Sequence, residues 1–125
     1  MKRNLGFLLL VVAGAAQAQY ANFDSEFVSP TTSLRTLVLD SETGVIAASA
    51  SVGANSCSGS IAGIGKIKGD ILQIKPYVKV EDGEDCVLTV KFDKGRKKAT
   101  VTEENCSLYH GASCGWEGQS VTKKR

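Results

Sequence analysis

Residues 57–80 read CSGSIAGIGKIK, then Gly69-Asp70, then ILQIKPYVKV: two alternating runs joined by a two-residue turn. In the second run Leu72, Ile74, Val78 and Val80 fall on one side and Gln73, Lys75, Tyr77 and Lys79 on the other, the period of two expected of a half-buried strand. Gly69-Asp70 is turn chemistry of the hairpin kind. Pro76 has no N–H to give to a ladder, so it marks an edge or a bulge.

The same pattern extends in both directions. Residues 34–40 and 45–52 flank Ser41-Glu42-Thr43-Gly44, where Gly44 can supply a positive φ. Residues 86–93 place Leu88, Val90 and Phe92 inward, Lys94 to Lys97 turn the chain, and residues 98–103 return. Residues 114–123 form the last run. Seven short runs predict an all-β domain over 34–125, an antiparallel meander closing into a small barrel or sandwich. The stretch 19–33 is a polar leader. Its Tyr20, Phe23 and Phe27 would share one face of a short helix stopped by Pro30, or lie as an ordered tail on the barrel.

The amino end has the form of a cleaved signal peptide. Met1, Lys2 and Arg3 are a positive n-region, an apolar run follows to Ala16, and Ala16-Gln17-Ala18 fits the small-x-small cleavage rule, placing the cut between Ala18 and Gln19. No stretch reaches the roughly 18 apolar residues of a spanning helix, so no membrane span is expected. The implied compartment is the periplasm. Lys2 and Arg3 are two of the 15 basic residues, so from Gln19 onward bases and the 13 acids balance. A neutral domain lacks the basic excess of a nucleic-acid binder, and no nucleic-acid partner is expected.

Four cysteines, Cys57, Cys86, Cys106 and Cys114, all lie beyond that junction. An even count in a small exported domain predicts two disulfides. Cys106, His110 and Cys114 also have a C-x3-H-x3-C spacing, but Gly111 and Gly115 disfavour the helix that would align them, and neither metal nor cofactor is expected. If strands run alternately up and down from Cys57, all four sulfurs meet at one pole. The scheme predicted is Cys57 with Cys86, tying the central strands, and Cys106 with Cys114, closing a seven-residue loop.

That loop, Ser107-Leu108-Tyr109-His110-Gly111-Ala112-Ser113, holds the one histidine and is followed by Trp116. A closed loop loses less conformational entropy on binding, so Ser107, Tyr109, His110 and Trp116 are candidate partner-binding residues. The competing reading is that Tyr109 and Trp116 cap the barrel end while His110 satisfies a backbone group. Glu81, Asp82, Glu84 and Asp85 form an acidic turn at the same pole. They would steer a basic protein partner, or simply solvate a strand connection. No nucleophile elbow, P-loop or HExxH motif occurs, and no carboxylate near in sequence orients His110, so an enzyme is not expected.

From Cys86 to Arg125 the chain, with CVLTVKF over 86–92 and CSLYHGASCGWEG over 106–118, resembles the C-terminal part of small exported proteobacterial β proteins, some of them grouped with periplasmic lysozyme inhibitors. It has neither the lipoprotein cysteine nor the Ser-Gly-x-x-Tyr segment of the membrane-bound c-type inhibitors. In another inhibitor lineage a short disulfide-closed loop carrying a histidine enters the lysozyme cleft, and the 106–114 loop is similar in logic. The resemblance implies a soluble inhibitor of a cell-wall-degrading enzyme. An immunity protein against a delivered periplasmic toxin, or a small envelope structural or lipid-binding barrel, are the other expectations.

Overall fold

A computed structural model describes residues 23–81 and 83–125; the signal-peptide reading, Tyr20 and Asp82 lie outside the described residues. Eight strands follow in order: β1 (Glu26–Val28), β2 (Thr32–Asp40), β3 (Val45–Ala54), β4 (Cys57–Lys68), β5 (Ile71–Pro76), β6 (Val87–Phe92), β7 (Lys98–Glu104) and β8 (Gln119–Lys123). Each pairs antiparallel with its sequence neighbour, and β1 pairs with β8, closing a barrel.

The turns explain the meander. Ala54 pairs with Cys57, so Asn55 (φ 49°) and Ser56 (φ 66°) alone turn β3 into β4, both in the left-handed region that matches strand twist. Gly69 (φ 60°) opens the equally short turn from β4 to β5.

Alternation then fills the interior. Leu34, Ile46, Ala48, Ala50, Val52, Ile61, Ile67, Leu72, Ile74, Leu88, Val90, Val101 and Val121 are buried, as eight strands leave just enough room for side chains. Phe23, Phe27 and Phe92 plug one end, their rings 4.9 and 5.4 Å apart around Phe92. The Arg96 guanidinium lies 4.4 Å over the Phe23 ring and pairs with Asp70, closing that end. Trp116, fully buried, fills the other.

Two expectations are corrected. Within the leader, residues 26–28 are a barrel strand, neither a helix nor a tail. Phe27 pairs across to Leu34 with its ring in the core, and the Thr36 hydroxyl donates to the Phe23 carbonyl and, at 3.2 Å, to that of Ser25. The run 71–80 ends early: β5 stops at Pro76, and Val78 and Val80 are exposed rather than inward. Pro76 has no N–H for a further ladder bond, and the Tyr77 N–H to Ala62 carbonyl bond at 2.8 Å is the last contact before the chain leaves the sheet.

Candidate functional site

All four cysteines sit at the pole opposite the phenylalanine plug: Cys57 opens β4, Cys86 immediately precedes β6, Cys106 follows β7, and Cys114 lies in the segment leading to β8. The pairing differs from the predicted one. Cys57 is bonded to Cys114 and Cys86 to Cys106. Gathering at one pole permits every pairing, and strand neighbourhood chooses among them: β6 and β7 are adjacent, with Val87 opposite Glu104, so Cys86 and Cys106 meet just beyond. The loop 107–113 is therefore not a ring closed on itself. It is a strap across the barrel mouth, fastened at each end to a different strand.

Chain chemistry shapes the strap. Asn105 (φ 59°) turns the backbone after β7, and a single 3-10 turn, η1 (Ser107–Tyr109), follows. His110 then bridges to Gly59 in β4, and the Gly111 N–H donates to the Ser58 carbonyl at 3.2 Å. Gly59 is required there, because a Cβ would run into the His110 backbone and the Tyr109 carbonyl.

Beneath the strap lies an ion pair that the sequence reading did not find. His110 Nε2 is 2.8 Å from Glu103 Oε2, and the two side chains are only 11% and 13% exposed. Glu103 Oε1 accepts the Trp116 N–H at 2.8 Å, while His110 Nδ1 meets the Gly111 carbonyl at 2.7 Å. Both ring nitrogens face acceptors, so the doubly protonated imidazolium is the form that satisfies the site. Burial pulls the His110 pKa down, but the Gly111 carbonyl and the Glu103 carboxylate outweigh it and hold it above the ordinary 6.5.

The candidate residues divide accordingly. Trp116 is core and presents nothing to a partner, and His110 is a half-hidden positioning group; the capping reading describes both. Tyr109 is half-buried, its hydroxyl accepting the Val80 N–H at 3.1 Å and meeting the Val78 carbonyl at 3.4 Å, which ties strap to acidic turn. Ser107, Glu81, Glu84 and Asp85 are exposed at this pole. Asp85 pairs loosely with Lys79 at 3.3 Å.

Sequence reasoning missed the apolar part. Leu108 is 59%, Tyr77 82% and Val78 74% exposed, and an open groove runs from Val78, Val80 and Tyr109 onto Ser49, Ser60 and Ala62. Pro76 was the available signal, since a strand that ends there leaves Tyr77, Val78 and Val80 outside. Beside this apolar strip stand the exposed carboxylates of Glu81, Glu84 and Asp85, together with Lys79. The arrangement is an exposed apolar strip next to an acidic turn, held at the pole that the two disulfides fasten. Compared with known proteins, the chain matches no protein-family model, no curated protein and no solved structure.

Proposed function

We propose that this chain is a soluble periplasmic binding protein that inhibits a basic, lysozyme-like cell-wall-degrading enzyme by seating its acidic pole on that enzyme. The observation that carries the reading is the doubly fastened strap, which holds Leu108 exposed between two disulfides and beside the acidic turn. Such a tip reaches its partner already ordered, so little conformational entropy is lost on docking. The turn carboxylates raise the encounter rate with a basic enzyme. Relative to the sequence expectation, the proposed contact set keeps Ser107 and the exposed turn, gains Leu108, and gives up His110 and Trp116.

Titrating residues 19–125 into lysozyme-catalysed lysis of peptidoglycan should slow lysis at stoichiometric ratios. Leu108→Asp should weaken binding by about 2 kcal/mol or more with an unchanged circular dichroism spectrum. Glu84→Lys with Asp85→Lys should slow association at low salt and lose that effect at high salt. Failure to slow c-type, g-type and i-type enzymes alike overturns the inhibitor reading.

A further inference from the structure

The outer face of β4, β5 and β6 away from the disulfide pole carries charge of one sign. Lys66, Lys68, Lys75 and Lys91 all point outward and are exposed, and the strand residues of this face include no carboxylate; Lys75, at the margin nearest the disulfide pole, also lines a pocket with Glu84 and Asp85. Lys66 has Asp40 nearby across β3; Lys68, Lys75 and Lys91 form no ion pair among the described residues. Strand register interleaves these charges with bare aliphatic side chains. Lys68, Ile71 and Lys91 lie in one cross-strand row, and Ile64 stands opposite Lys75. Ile71 is 42% and Ile64 51% exposed. The next turn adds Lys94, Lys97 and Lys98 at the same end of the barrel, where the carboxylates are Asp93, which accepts the Lys97 and Lys98 N–H groups, and Asp70, which is paired with Arg96.

We infer that this face docks on an anionic lipid bilayer, its lysines among the phosphate headgroups and Ile64 and Ile71 entering the layer beneath. Three observations favour a bilayer over a polyanionic chain. The face has no arginine to grip fixed phosphates bidentately, since Arg96 is engaged with Asp70 and Phe23. Its exposed strand residues include no aromatic ring on which a base would stack, Tyr77 lying just past the end of β5 beside Ile64. Its isoleucines gain nothing from a phosphate polymer, whereas a bilayer offers phosphate outside and hydrocarbon within. Each lysine near an anionic surface adds attraction that salt screens. The lysine-rich end approaches the lipid, and the acidic pole stays turned to solvent. This inference stands independently of the proposed inhibition.

The test is co-sedimentation of residues 19–125, which contain the whole closed barrel, with vesicles of phosphatidylcholine alone or with about 30% phosphatidylglycerol, at about 50 mM salt. The protein should sediment only with the anionic vesicles and be released at about 0.5 M salt. Lys68→Glu with Lys91→Glu should reduce partitioning roughly tenfold or more, and Ile71→Asn severalfold. Arg35→Glu with Lys79→Glu alters net charge equally on other faces and should change partitioning by less than about twofold. Equal sedimentation with uncharged vesicles, equal loss in both double variants, or binding to single-stranded DNA with none to anionic vesicles would overturn the inference.

Discussion

At the scale of single residues, His110 and Trp116 set the stability of the pole. His110 is held as an imidazolium by Glu103 and the Gly111 carbonyl, with its pKa raised above 6.5. A raised folded-state value means the contribution is fully present below about 6.5 and fades as pH climbs through that raised value. Urea midpoints measured upward from pH 6 should therefore fall, and His110→Gln should flatten the decline. An unchanged slope in the variant would show that another group titrates. Trp116 is buried without a hydrogen-bond partner for its indole N–H among the described residues, so its contribution is packing. Trp116→Ala should cost about 3–5 kcal/mol and Trp116→Phe clearly less, because the latter keeps an aromatic ring in the cavity and neither breaks a side-chain hydrogen bond.

At the scale of elements, alternation was the most readable signal. Leu72 and Ile74, then Leu88, Val90 and Phe92, sit inward as their period of two requires. β1 was unreadable because three residues, one of them buried, show no period; only its pairing with β2 and β8 makes it a strand. The Glu103 partner of His110 was hidden for a related reason. Seven positions separate them, and a strand end followed by a turn and a strap sets the distance. Disulfide pairing depends in the same way on which strands are neighbours. Peptide mapping of the oxidised protein should yield Cys57 with Cys114 and Cys86 with Cys106. In the chain-entropy picture, the first bond spans 57 residues and the second 20, so removing them should cost about 4 and 3 kcal/mol respectively. Denaturant titration of Cys57→Ala with Cys114→Ala, and of Cys86→Ala with Cys106→Ala, reads that order.

At the scale of the whole molecule, closure between β1 and β8 makes the shortest strand indispensable. Removing residues 1–28 would strip two buried rings from Phe92 and leave β2 and β8 with unpaired edges. The expected outcome is loss of cooperative unfolding together with concentration-dependent aggregation, seen by calorimetry and light scattering. A monomeric, cooperatively melting product would show that β2 and β8 can close the ring directly. Charge is also organised at this scale: Glu81, Glu84, Asp85, Glu103, Glu104 and Glu117 lie on the disulfide pole, while most lysines lie toward the opposite end, where Asp40, Glu42, Asp70 and Asp93 offset them in part.

The two disulfides are nested: the bond between the second and third cysteines lies inside the loop closed by the first and fourth. A chain delivered amino end first exposes Cys57 and Cys86 to an oxidant before Cys106 and Cys114 have arrived. Oxidation in order of arrival would join those first two and trap a non-native crosslink. In an oxidising compartment, maturation would then call for an isomerase as well as an oxidase, through attack of a later thiolate on the premature bond.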